Sequence, residues 1–288
     1  MIDVKYLKYS IANDINNFIN IWNGNIEDCS YRTGISKATI YEILKSNKTT
    51  GTVYEKFYSS IYRAGYRLNS VKEDFLKETT KNKILFHGAK EQIFEITHNG
   101  SRKNCDFGKG FYLGETYDQA LSFVNENRNS SVYSFELLPN SLKIVEFSCD
   151  LEWMLAICYF RGNLKEYKNS PLIKKIINKV KKADIIIAPI ADNNMFYIMS
   201  SFVKGEINCD VAIHSLSTSK LGKQYVFKTE KSLEFLKPIE KYYLCQREKE
   251  DCGNRLKQRG LEIETKLKLA KREYRNGLFI EEILNEKI

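Results

Sequence analysis

The residues best suited to chemistry lie in two short stretches separated by about twenty residues. The first, Ile84-Leu85-Phe86-His87-Gly88-Ala89-Lys90, is an apolar strand-like run ending in an imidazole and a glycine. The second is Cys105-Asp106-Phe107-Gly108-Lys109-Gly110-Phe111-Tyr112-Leu113-Gly114. Glycines on both sides of Lys109 permit positive φ and let a ligand approach the main chain. The loop then delivers Phe111 and Tyr112 to a strand, where neighbours point to opposite faces, so one can be core while the other faces a ligand. An aromatic face attracts a flat, electron-poor ring much as it attracts a cation, by about 0.5–2 kcal/mol. Tyr112 is the candidate for that role. His87, closing its strand, can hydrogen-bond a sugar hydroxyl, and Gly88 leaves its N–H and C=O open to a carboxamide. The same residues also suit a plain β-meander whose glycines serve turns and whose histidine is satisfied in the core.

Phe86-His87-Gly88 followed by Phe107-Gly108-Lys109-Gly110-Phe111-Tyr112-Leu113 resembles the first two motifs of the ADP-ribosyltransferases with a His-Tyr-Glu triad, the group that includes the poly(ADP-ribose) polymerases. Asp106 to Leu113 is closer still to an uncharacterised bacterial family placed in that superfamily. The third motif is a strand that opens on glutamate in the active polymerases, and Gln224-Tyr225-Val226-Phe227 fits it with glutamine. The resemblance covers Lys83 to Pro238, and the motifs gain specificity from their order. It implies an α+β fold with a split β-sheet core and NAD as substrate, without a metal. In it His87 holds the adenosine-side ribose, Gly88 binds the nicotinamide amide, Tyr112 stacks the nicotinamide, and Gln224 positions the reacting ribose. Phe123 stands where the polymerases keep a second stacking aromatic, although it is equally well placed as core. Asp192 is a minor candidate for ribose or acceptor contact, with capping of a helix over Met195 to Val203 as its alternative.

Cleaving the bond between nicotinamide and ribose builds positive charge on the sugar, which acceptor or anionic groups nearby stabilise. Gln224 can accept a hydrogen bond but cannot act as a general base. The expectation is therefore a mono-ADP-ribosyltransferase acting on an unidentified protein or nucleic-acid acceptor, in the setting of a toxin or defence effector, and not a chain-elongating polymerase. An NAD glycohydrolase and a DNA-binding regulator that senses NAD through a non-catalytic domain are the alternatives.

Three units are expected, over residues 1–80, 81–240 and 241–288. In the first, Ile26 to Leu44 has the pattern of a helix-turn-helix: Gly34 ends one helix in a left-handed cap, Ser36 caps the next, and Ile40, Ile43 and Leu44 face inward. It resembles the small repressor-type domains of bacteria and phages, in which Ser36, Lys37, Thr39 and Tyr41 would meet DNA or RNA. A helical bundle that binds a partner protein explains the pattern as well. Val53, Phe57 and Ile61, with Tyr54, Tyr58 and Tyr62 beside them, read as core, and Lys72 to Lys83 reads as a charged connection. Strands are expected at Ser131 to Leu137, Leu142 to Phe147, Asp184 to Pro189 and Gln224 to Lys228, with helices at Tyr117 to Phe123, Leu151 to Phe160, Ser170 to Lys182 and Glu230 to Tyr243. Beyond Cys245 the pattern predicts two charged helices broken at Gly260, solvated by default, with covering the catalytic domain, forming a homodimer or binding a cognate antitoxin as alternatives.

Of the 288 residues, 43% are hydrophobic and 12% aromatic, ample for a packed core. A net charge of +9 suits polyanion contact, although lysine-rich composition alone produces it. No apolar run is long enough to span a membrane and the N-terminus lacks the apolar region of a signal peptide, so a cytoplasmic protein is expected. Seven scattered cysteines without a C-x-x-C pair argue against a disulfide framework or a zinc site.

Overall fold

The computed structural model describes residues 2–139, 141–217 and 222–285. The chain begins with β1 (Ile2–Asp3) and five helices: α1 (Ile11–Ile21), α2 (Ile26–Thr33), α3 (Lys37–Ser46), α4 (Gly51–Arg63) and α5 (Leu68–Thr79). It continues with β2 (Lys83–Ala89), β3 (Glu95–Ile96), β4 (Phe111–Gly114), α6 (Tyr117–Ser122), β5 (Ser131–Leu137), β6 (Ile144–Glu146), α7 (Leu151–Arg161), a 3-10 turn (Lys165–Asn169) and α8 (Pro171–Lys181). Then follow β7 (Ile185–Pro189), α9 (Asn193–Val203), α10 (Cys209–Ser217), β8 (Lys223–Phe227), α11 (Glu230–Leu233), β9 (Leu236–Tyr243), α12 (Gln246–Glu273) and α13 (Ile280–Asn285).

Local signals set the turn between α2 and α3. Asn25 makes a capping box with Asp28, Gly34 adopts φ +66°, and the Ser36 hydroxyl accepts the Thr39 N–H at 3.1 Å. Ile40 and Ile43 then turn inward onto Phe18, Phe57 and Ile61, so the N-terminal helices have their own core.

The fold is mixed α+β, and its centre is a seven-stranded sheet of order β6-β7-β8-β4-β2-β5-β9, antiparallel except for the β6–β7 pair. One face of the sheet carries α7, α8, α9 and α10 over β7 and β8, and α6 over β2 and β5. The other face buries Leu85, Phe111, Leu113, Tyr133 and Tyr225 together with Val4 and Leu7. Residues 2–7 therefore pack on the sheet, β1 pairs with β3, and Tyr9 bridges to the helices through the Tyr54 ring at 5.3 Å.

Three further expectations change. Glu230 to Tyr243 is a one-turn helix followed by the long edge strand β9, because Leu236-Lys237-Pro238-Ile239-Glu240-Lys241-Tyr242 pairs along the whole of β5. The C-terminal segment is not broken at Gly260: α12 runs 28 residues through it before the short α13, and α12 is not merely solvated. Its Ile263, Leu267 and Ala270 join the main core, and it touches α4, α6, α9 and α10. Lys72 to Lys83 is largely helix, not a loose connection. Lys72 is buried between Asp14 at 3.1 Å and Glu240, while Glu73 accepts the Tyr117 N–H at 3.1 Å. Removing one member of such a buried ion set typically costs about 3–5 kcal/mol. No helix among the described residues is long and apolar enough to cross a membrane.

Glu248, in the first turn of α12, lies where α5, α6 and α12 meet. It accepts from the Asn69 amide at 3.0 Å, and Asn69 also donates to the Tyr117 hydroxyl at 2.8 Å. Burial nevertheless pushes its carboxyl up to about 7. A carboxyl raised in the fold is ionised first in the unfolded chain, so stability falls as pH rises from about 4.5 to about 7 and stays lowered above that. Glu248→Gln removes this dependence. Urea denaturation at pH 5 and pH 8 should show the variant gaining on the wild type by on the order of 2–3 kcal/mol across that interval. A difference that does not change with pH would mean that Glu248 ionises freely in the fold.

Candidate functional site

Sheet order brings the three sequence motifs onto neighbouring strands, with His87 on β2, Tyr112 on β4 and Gln224 on β8. Tyr112 stands opposite Val226 and Gly114 opposite Gln224. Directly opposed residues share a face, so Tyr112 and Gln224 both look towards α7 and α9. His87 alternates to the other face, where its ring tilts over Phe111 at 4.5 Å. The structure therefore brings Tyr112 and Gln224 together as diagonal neighbours, while His87 meets the backbone of Tyr112 and not its ring.

β2 and β4 share the single register pair Phe86↔Gly114 and then part. The His87 imidazole spans the opening, its Nδ1 lying 2.8 Å from the Tyr112 carbonyl oxygen. Only an N–H can serve that carbonyl, so Nδ1 carries the proton and Nε2 is an acceptor. Burial pushes the imidazole pKa below its ordinary value, which keeps the ring neutral. At this end of β2 a cleft of about 550 Å³ is lined by His87, Gly88, Lys90, Ile93, Asn127 and Asn129. Its size suits a small-molecule ligand. Tyr112 and Gln224 do not line it. Gly88 has a packing duty that its sequence context hid: a Cβ there would lie 2.2 Å from the Ala120 carbonyl oxygen of α6.

The loop before β4 is folded by its own groups. Gly108 takes φ +73°, and its N–H reaches the Cys105 carbonyl at 2.9 Å. The Tyr112 hydroxyl donates to Gly108 O at 2.6 Å and accepts from the Phe107 N–H at 3.1 Å. Burial, then the nearby Asp106 carboxylate, pushes this phenol well above its ordinary pKa. The hydroxyl is thus committed to the loop, and only the ring remains for stacking. Lys228, the residue after the strand of Gln224, donates to Phe107 O at 2.6 Å and to Lys109 O. Desolvation pushes its ammonium down to about 8.

Gln224 is buried, and its amide is fixed by two acceptors. Nε2 donates to Asp106 Oδ2 at 2.8 Å and to Pro189 O at 3.1 Å. Asp106, also buried, is held from behind by Arg161, whose Nε and Nη2 lie 2.7 Å and 2.6 Å from Oδ1. Arg161 further donates to Ala191 O at 2.9 Å and packs over the Phe196 ring at 4.3 Å. Asp106, Arg161 and Lys228 escaped the sequence reading. Asp106 and Lys228 adjoin the motifs, a usable signal, whereas Arg161 lies 55 residues from Asp106 and carries none.

The remaining candidates sit apart. Phe123 is 55% exposed at the C-terminal end of α6. Asp192 caps α9, accepting the Met195 N–H at 2.9 Å. Among the residues expected to read nucleic acid, Tyr41 is exposed and Lys37 is ion-paired with Glu27. Ser36 is committed to its cap. Thr39 does not point freely outward: it is half-buried, with Oγ1 2.8 Å from Ser36 Oγ.

Lys228→Met would leave Phe107 O and Lys109 O without their ammonium donor and loosen the loop. Amide hydrogen exchange of Gly108 and Gly110 should accelerate about tenfold or more while the core strands keep their protection. Unchanged exchange there would show that Lys228 does not hold the loop.

No curated protein and no solved structure matches the chain. A family model described as "Protein of unknown function (DUF3990)" matches residues 83–237, more than half of the sequence, from the start of β2 into β9. The chain belongs to that family of unknown function.

Proposed function

We propose that this protein is an NAD-dependent mono-ADP-ribosyltransferase of the His-Tyr-Glu-like group, with glutamine at the third position. The observation that carries the reading is the strand order β8-β4-β2, which sets Gln224, Tyr112 and His87 on three adjacent strands beside an opening in the ladder. A split sheet of this kind suits a dinucleotide laid across it. Neutral His87 offers Nε2 as acceptor to the adenosine-side ribose, next to the 550 Å³ cleft that would take the adenosine. Tyr112 offers its ring to the nicotinamide, Gly88 its backbone to the carboxamide, and Gln224 its carbonyl to the reacting ribose. The work divides between binding and orientation, as befits a bond whose cleavage needs a stabilised cationic sugar more than a base. The acceptor is a macromolecule, with the helix, turn and helix of α2 and α3 as the segment that recognises nucleic acid or a bound protein.

The test is incubation with adenylate-labelled NAD and, separately, host lysate, DNA and RNA. Transfer of label to one fraction is expected, and Tyr112→Ala and Gln224→Ala, checked for folding, should each lose at least about tenfold in turnover. Free ADP-ribose as the sole product would make the protein a hydrolase. Survival of NAD in every sample would overturn the catalytic reading.

A further inference from the structure

The Gln224 amide has two N–H protons, and both are spent on groups that can only accept, a carboxylate and a backbone carbonyl. Its orientation is therefore dictated. Oε1 points away from both, without a hydrogen-bond partner among the described residues. Asp106 cannot give way, because its other oxygen is held twice by Arg161. Arg161 in turn is anchored to the loop after β7 through Ala191 O, and Pro189 O at the end of β7 is also bound by Trp153 Nε1 at 3.1 Å. A buried chain of this kind has one hydrogen-bonding sense: the guanidinium donates to the carboxylate from one side and the amide donates to it from the other.

We propose that Asp106 is the positioning residue of this site: it locks Gln224 so that the site receives a hydrogen-bond acceptor, and the two residues form one unit in which Asp106 requires an amide at position 224. The inference deepens the transferase reading and rests on it for the role of the unpaired carbonyl; the pairing itself does not need NAD. Asp106 acts by orientation more than by charge, since Arg161 neutralises it at 2.6 Å. It also accounts for glutamine at 224, where a carboxylate would face a second carboxylate at about 2.8 Å.

Two substitutions and their combination test the unit. In Gln224→Glu one carboxyl of the pair must hold a proton. The other groups in range are Arg161, Tyr112, Cys105 and Cys158. Burial keeps the Tyr112 phenol protonated and pushes the Cys158 thiol up to about 12, so Arg161 is the one counter-charge. The melting temperature of this variant should fall by several degrees at pH 8 and recover towards pH 5, as the shared proton returns. In Asp106→Asn the new amide must turn its oxygen to Arg161 and present an N–H to Gln224. The Gln224 amide then turns over and gives the site a donor in place of an acceptor, lowering kcat about tenfold or more with KM little changed. The double variant Asp106→Asn with Gln224→Glu restores a donor-to-acceptor match between the two side chains but leaves Pro189 O facing a carboxylate, so it should recover part of the pH 8 melting temperature and part of kcat relative to the single variants.

If Gln224→Glu is as stable as the wild type at pH 8, or the double variant is no better than either single, the unit does not exist. Rescue of stability with no NAD consumption by any form would support the pairing and sink the transferase reading. NAD turnover that is indifferent to Asp106→Asn would leave that reading intact and overturn the positioning role.

Discussion

One buried carboxylate holds the candidate site together. Asp106 lies in the loop before β4, yet its partners come from the end of α7 and from β8, and those partners reach on to the loop after β7. Three segments far apart in sequence therefore meet at two carboxylate oxygens, and a fourth, at and after the end of β7, braces two of them. A charge buried this deeply is tolerated only when paired and fully hydrogen-bonded, and a partial set would be worse than none. The network consequently forms as a whole, with the helical cover of the sheet already in place. Wholly buried Trp153 and the close contact of Phe160 with Gly108 seat α7 so that Arg161 arrives at the required place.

The sheet contributes by coming apart as much as by pairing. Where β2 leaves β4, the ladder no longer uses the groups along that edge, and His87 restrains the separation with one side-chain hydrogen bond to the Tyr112 backbone. That bond fixes which imidazole nitrogen carries the proton, so a structural contact also sets the chemistry on offer. The same economy appears at Tyr112, whose hydroxyl folds the glycine loop while its partly buried ring packs against the main core. Side chains with two distinct ends let a short strand serve both packing and binding.

Much of this was legible locally. Gly34 and Ser36 announce a helix end and a helix start because a left-handed cap and a hydroxyl acceptor are decided within one turn of chain. The strands β2, β4, β5, β7 and β8 declare themselves through apolar runs bounded by polar turns, and buried α7 through its length. β9 did not, since Leu236 to Tyr243 carries as much helical as strand character and only the exposed edge of β5 decides between them. Gly260 reads as a helix breaker, but α12 continues through it where it lies close to Asn194 of α9, which a Cβ would meet at 3.2 Å. At the site, the motif residues were visible as types in order. Arg161 was invisible because a salt bridge between a loop and a helix end leaves no period in the sequence. The face on which each motif residue stands was equally hidden, because it follows from register, and register is a property of pairs of strands.

The N-terminal helices raise the matching question of what a unit boundary means here. Composition marks a division near residue 80, yet Lys72 is buried against Asp14 of α1 and Glu240 of β9, and Tyr243 and Cys245 complete the core of the helices. Stability alone would be served as well by apolar side chains at that junction. Buried ions exclude alternative seatings, because any shift leaves a charge without its partner at a cost of several kcal/mol. Residues 2–9 reinforce the arrangement by crossing to the far face of the sheet before the first helix begins, and Tyr9 reaches Ser131 Oγ at 2.7 Å on β5. The helices and the sheet are thus registered to each other by charge and by threading. A division read from composition is here a change of architecture and not a hinge.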